Sequence, residues 1–271
     1  MKKALFILSL LLASISFAQA HRFIYELEIH KKEDTVHVNM ALDINKDFVK
    51  FYDYELIAND SVRKTGKGTQ YFSPSDQLMS RKSNSNENKM YIPSGYDYFV
   101  ITSTDKMDWK LEPETKQAGT FTLHKATTDF GGRQWIAWYN TEFPFQEGPY
   151  KFRGLPGLIF EVYDSENAFH YNFVENKNLP ETFDTSDFLE TRYGKKPIAI
   201  SLKQYHNLKL DYYNNIVEVL SEFQKKGGTI ASKEDLSTPE EIAKKRKALQ
   251  QTVKDYYFPI ELDTAIPYPD N

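Results

Sequence analysis

Leu155-Pro156-Gly157-Leu158 leaves the backbone few choices. The proline ring holds φ at about −65° and the glycine after it can take positive φ, so the four residues read as a type II turn, proline second and glycine third. Gly154, just before it, lets the chain bend or approach another backbone closely. The next residues, Leu158-Ile159-Phe160-Glu161-Val162-Tyr163-Asp164, are apolar and rich in strand formers. They predict a strand with Leu158, Phe160 and Val162 on one face and Ile159 and Tyr163 on the other. Gly154 to Ile159 then reads either as a buried turn feeding a core strand or as a docking knuckle exposed through its leucines. A phosphate loop is excluded, because the Gly-Lys-Ser/Thr ending is missing.

The same alternation runs through most of the chain. Phe23, Tyr25, Leu27 and Ile29 alternate with Arg22, Glu26 and Glu28, and Val36, Val38, Met40 and Leu42 repeat the pattern across Thr35 to Ile44. The polar residues 31–34 between them predict a hairpin. Phe48 to Ile57 is a third expected strand. Residues 58–88 show little periodicity and read as a long excursion, with Tyr71-Phe72 as a short strand candidate. Strands are expected again over 89–92, 96–103, 108–111, 119–128, 134–141, 157–164 and 168–174. Tyr (18) and Phe (19) are abundant, which favours strands.

The pattern changes after Asn176. Residues 178–196 read as an irregular linker and 198–202 as a short strand. Residues 202–226 take helical spacing, ended by Gly227-Gly228. Thr238-Pro239-Glu240-Glu241 predicts the capped start of a second helix running to Tyr257. Its Lys244-Lys245-Arg246-Lys247 run follows two glutamates by one helical turn and reads as a solvated face. Ile260 to Ile266 is expected as an edge strand. The expected fold class is α+β, mostly β: a curved antiparallel sheet in meander order, half-barrel or sandwich-like, with two C-terminal helices packed on it. Residues 19–271 are expected to form a single domain, with the sheet over 22–176, the linker over 177–197, the helical part over 198–257 and the C-terminal segment over 258–271.

Gly154-Leu155-Pro156-Gly157-Leu158-Ile159 resembles the signature of the GLPGLI family, exported proteins of Bacteroidota. Phe130 to Tyr139, the lead-in Gly148-Pro149-Tyr150-Lys151-Phe152 and the ending Phe258-Pro259-Ile260-Glu261-Leu262 are similar to other parts of that family. The family has no established activity, so the resemblance implies a compartment and not a reaction. Many relatives carry a cysteine in the strand matching Phe121 to Ala126, where this chain has Leu123 and His124; either this member lacks a function of that cysteine, or leucine fills what is a core position. The sheet followed by late helices is also similar to the half-barrel of periplasmic lipoprotein carriers, a likeness of fold that does not give function.

The N-terminus fits that compartment. Lys2 and Lys3, the apolar run Ala4 to Leu12 and the small residues after it predict a secretion signal over residues 1–18, or 1–20. A cut after Ala18 is favoured over one after Ala20. There is no cysteine, hence no disulfide and no lipid anchor at the signal. No second apolar run approaches the ~20 residues of a membrane-spanning helix. Losing Lys2 and Lys3 takes the formal charge from −4 to −6, which disfavours nucleic acid and anionic membranes as partners.

Candidate chemistry is sparse. The histidines stand at 21, 30, 37, 124, 170 and 206, none three or four residues from another. After a cut at Ala18, Gln19-Ala20-His21 offers an amine, two amides and an imidazole, a chelate for copper or nickel; after a cut at Ala20, His21 comes first, with His37 as a second ligand. Asp43 to Asp47 begins like a calcium loop but lacks its glycine and final acid, and reads as a turn. Asp184, Asp187 and Glu190 read as solvated acids. Arg133, Trp135 and Trp138 form the candidate binding surface, with Trp135 and Ala137 on one face and Gln134, Ile136 and Trp138 on the other. The reading is an exported, non-enzymatic accessory without cofactor. It binds a small ligand or an envelope partner, such as outer-membrane uptake machinery. The alternatives are a copper- or nickel-handling protein and a hydrolase with a dispersed site.

Overall fold

The computed structural model describes residues 20–32, 34–67, 71, 73–95, 97–227 and 238–269. The expected signal, Phe72 and Gly228 lie outside these residues. The fold is mostly β, 42% strand and 24% helix. It divides into two compact units, Met1–Ala199 and Ile200–Asn271.

Twelve strands among the described residues of the first unit make one open sheet. They are β1 (Ala20–His30), β2 (Thr35–Ile44), β3 (Phe48–Asp53), β4 (Leu78–Lys82), β5 (Glu87–Ser94), β6 (Asp97–Thr104), β7 (Lys110–Ala118), β8 (Phe121–Phe130), β9 (Arg133–Asn140), β10 (Leu158–Asp164), β11 (Phe169–Leu179) and β12 (Ile198–Ala199). The order is β12-β6-β5-β4-β3-β2-β1-β11-β10-β9-β8-β7. Two antiparallel meanders thus meet at the β1–β11 pair, and β12 joins β6 in parallel. Residues 105–109 alone link β6 to β7, which stand ten positions apart in the sheet. Flat, those strands would be about 48 Å apart, but so short a link reaches at most about 21 Å. The sheet therefore curls back on itself.

Alternation sorts the side chains onto two faces. On one, Tyr25, Leu27, Met40, Phe51, Met79, Trp135 and Tyr171 are fully buried. The segment between β9 and β10 folds back over this face, where its Phe152 packs on Trp135 and Tyr171, and Tyr25 Oη donates to Ile159 O of β10 (2.7 Å). On the other face Ile24, Ala41, Tyr52, Leu78, Tyr91 and Tyr98 form a second cluster. It is capped by Leu56 of α1 (Glu55–Lys64) and by Phe188 and Leu189 of a single π-helical turn, Ser186–Glu190.

Several expectations change here. The third strand stops at Asp53, whose Oδ1 accepts the Glu55 N–H, and α1 follows. Glu55 in its first turn and Arg63 and Lys64 in its last suit the helix dipole. The 58–88 excursion holds most of α1 and all of β4, which pairs with β3 and β5. Residues 112–118 belong to an edge strand, β7, whose register shifts around Pro113. The acids read as solvated are partly paired: Glu190 meets Lys50 at 2.8 Å, and Asp184 accepts the Ser186 N–H.

The motif itself inverts the expected roles of its glycines. Gly154 is the one with positive φ, +97°, and Gly157 is not left-handed. No type II turn with a left-handed Gly157 forms. Gly157 instead lies where the chain grazes the end of β9: a Cβ there would sit 2.0 Å from Asn140 O. Leu158 then pairs with Asn140 and starts β10.

The second unit holds three helices among the described residues: α2 (Leu202–Asn214), α3 (Ile216–Lys225) and α4 (Pro239–Tyr256). The single helix expected over 202–226 breaks at Asn215, whose N–H and side-chain amide both donate to Asp211 O. The capping boxes Ser201/Gln204 and Thr238/Glu241 start α2 and α4. No strand forms over Ile260 to Ile266; the Ile266 N–H donates to Tyr257 Oη instead (2.7 Å).

Candidate functional site

Arg133, Trp135 and Trp138 do not share a surface. Arg133 is buried, its Nη1 donates to Asp164 Oδ2 at 3.1 Å, and its guanidinium lies 5.2 Å from the Phe169 ring. Trp135 is wholly buried, and its Nε1 donates to Phe130 O (2.9 Å). Trp138 lies on the opposite face, where Lys116 Nζ stands 4.6 Å from its ring. The docking-knuckle reading of the motif also falls, because Leu155, Leu158 and Ile159 are buried. His21 is a strand residue. Its backbone pairs with Asn178 and Ile44, and its Nδ1 meets Asn178 Oδ1 at 2.9 Å. A terminal chelate through the Ala20 and His21 amides would have to dismantle that end of β1.

The loop carrying the motif is fastened by buried charge. Glu147 accepts from Arg81 of β4 and lies 3.5 Å from Arg153 Nε. Arg153 also donates to Asn86, and Lys151 Nζ stands 3.3 Å from Asp105. Asn88 joins the two halves, accepting from Arg81 (3.5 Å) and donating to Asp105 (2.9 Å). Three cations thus face two carboxylates, and Arg81 has no exposed side-chain surface. Burial and the neighbouring Arg153 push Arg81 down to about 9, still above neutrality, so Glu147 holds a charged partner. This is a latch: each of these side chains meets another part of the fold, although Arg81 Nε itself has no hydrogen-bond partner.

A place for a ligand lies on the other face, beside α1. A small cleft, with a cavity of about 30 Å³, is bounded by Leu56, Tyr71, Leu78, Tyr98, Arg192 and Tyr193. Tyr98 Oη donates to Leu189 O (2.7 Å) and Tyr91 stacks on its ring, so that wall is fixed. Arg63 lies 3.2 Å from the Tyr193 ring centroid. Asp76 and Tyr193, both lining the cleft, are held at φ +51° and +52°. Such a conformation is uncommon for aspartate and costly for tyrosine, on the order of 1 kcal/mol or more. The Tyr193 N–H bond to Asp187 O (2.7 Å) helps hold it.

Behind the cleft Tyr71 Oη donates to Asp53 Oδ2 at 2.7 Å. Burial pushes the Asp53 carboxyl up, against the pull of hydrogen bonds from Tyr71, the Glu55 N–H and Ser73. Burial and Asp53 both raise the Tyr71 phenol. An acid–base pair for hydrolysis needs a group that substrate can reach; Asp53 is wholly buried and the phenol is held protonated. The pair anchors the wall of the cleft. Local patterns gave no hint of this site, since its lining comes from five separate stretches. The left-handed tyrosine is visible only in the backbone.

Comparison with known proteins adds fold but no reaction. Residues 131–161 match the model of a Bacteroidota-associated family, "Protein of unknown function (Porph_ging)". No curated protein matches the chain. Among solved structures, PNGF-II in its C2 and P21 crystal forms is similar at TM-scores of 0.51 and 0.52 and identities of 14% and 15%. Each match covers 70% of this chain and 32% or 33% of PNGF-II, so the chain spans about a third of that protein. At this identity the likeness is one of fold alone. A LolA superfamily protein, NE2245 from Nitrosomonas europaea, matches at 6% identity over 65% of this chain and 92% of its own. Its TM-score of 0.26 carries no argument. No helix among the described residues is long and apolar enough to cross a membrane.

Proposed function

We propose that the chain is an exported envelope protein of the GLPGLI type that binds a small ligand or an envelope partner without transforming it. The observation that carries this reading is the cleft, where a bulky tyrosine occupies a left-handed position that glycine would fill without strain. Keeping the ring there costs stability, which makes sense if the ring has a use. The aromatic walls suit an apolar ligand or an aromatic side chain of a partner, while Arg192 Nη1 already donates to Gly95 O (3.0 Å). An outer-membrane uptake protein is one such partner.

On this reading the curled sheet is a half-barrel whose inside is filled by its own β9–β10 loop, so binding moves to the outside. The signal is removed after Ala18. Ala20 is buried and paired with Leu179 in β1, so that cut leaves the strand whole.

The test is native mass spectrometry of the mature protein after incubation with envelope extract, with Tyr193→Gly as the discriminating variant. Glycine suits the backbone, so any lost binding reports on the ring. A specific adduct in the wild type, weakened roughly tenfold or more in the variant while far-ultraviolet circular dichroism is unchanged, is the expected result; a loss of that size is about 1.4 kcal/mol or more. No specific adduct, or equal binding by both proteins, would sink the reading.

A further inference from the structure

We propose that Glu26, Glu28 and His37 form a site for a divalent transition-metal ion, zinc in the first instance, on the exposed surface of β1 and β2. Strand alternation puts Glu26 and Glu28 on one face of β1, and the hairpin register sets His37 directly opposite Glu28. His37 Nδ1 lies 3.1 Å from Glu26 Oε1 and 3.9 Å from Glu28 Oε1. One ligand atom from each of the three falls within 4.8 Å of the others. Nitrogen and oxygen ligands about 2.1 Å from a zinc ion stand roughly 3.0–3.4 Å apart. Small side-chain rotations therefore close the triad around one ion.

A second observation points the same way. His30, two residues beyond Glu28, turns Nδ1 toward Asn167 O. A carbonyl oxygen only accepts, so Nδ1 carries the ring proton. Nε2 then stands 3.2 Å from Glu28 Oε2. A backbone carbonyl fixing the far nitrogen is also the usual support of a metal-binding histidine. His170, opposite Glu28 on β11, turns away to Glu161 (3.0 Å) and is not counted.

The donors are one imidazole and carboxylates, which suit zinc or copper(II). The His37 side chain is 55% exposed and that of Glu26 43%, so the outer coordination positions stay open to water or to a donor from a partner. The site is independent of the cleft.

The test is calorimetric titration of the mature, metal-free protein with zinc sulfate, repeated for His37→Ala, Glu28→Gln and, as a control, His21→Ala. About one equivalent is expected, with affinity falling roughly tenfold or more in the first two variants, since even supporting residues around a metal are worth ~10–100-fold, and unchanged in the third. His37 ring resonances should shift with zinc in the nuclear magnetic resonance spectrum. Saturable zinc binding untouched by His37→Ala or Glu28→Gln, the absence of binding, or binding of calcium equal to that of zinc would overturn the proposal. All three residues are surface groups, so the variants test ligation without removing core packing.

Discussion

At the scale of single residues, the motif glycines are required for different reasons, and substitution separates them. A methyl group at Gly157 meets the carbonyl carbon and oxygen of Asn140, which are backbone and ladder-bound, so nothing yields cheaply. Gly157→Ala is expected to cost about 3 kcal/mol or more. A methyl group at Gly154 finds only Trp109 Cδ1, at 3.9 Å, and pays mainly for its φ of +97°. Gly154→Ala should cost about 1–2 kcal/mol. Urea denaturation of both variants checks the order; equal losses would mean that the close approach to Asn140 relaxes. The sequence held the right residues but not this distinction. Proline before glycine is equally compatible with a left-handed glycine and with one pressed against a neighbouring strand, and only the course of β9 decides.

Among the elements, legibility followed the apolar content of the strands. β1, β2, β9 and β10 are rich in apolar strand formers and bury one face fully, with parts of the other covered as well, and their positions were expected to within a residue or two. α1 was missed because Leu56 and Asp60 are its only buried residues, too few for a helical stripe. β7 was cut short because its edge position admits Pro113 and charge, features that blunt an open edge and mask a strand. The buried latch was illegible for another reason. Arg81 lies 66 residues before Glu147, which shares its loop with Arg153, and a lone buried arginine in a strand looks like one exposed at its end. The latch makes its own prediction. Glu147→Ala leaves the buried Arg81 guanidinium, and the partly buried one of Arg153, without their carboxylate and should cost about 3 kcal/mol. Arg81→Met combined with Glu147→Leu should recover part of that loss. Thermal unfolding of the single and double variants decides it, and a double variant worse than the single would count against the latch.

For the molecule as a whole, the mostly β class was plain from alternation and aromatic content, and the meander order from the short polar turns. The joining of two meanders through β1 and β11 was not, because that pairing links residues about 150 apart along the chain and no local pattern records it. The cleft, the latch and the curl all depend on it. It also governs how the fold is reached. Synthesis delivers β1 long before β11, its second neighbour, which begins only at Phe169. Until then Ala20 to His30 has one side of its ladder open. Closing so long a loop before any reward sets a slow rate, milliseconds to seconds by the usual dependence on contact order, and stopped-flow refolding should find it there. Throughout that wait the first hairpin keeps one strand edge unpaired, the kind of surface that invites association between unfinished chains.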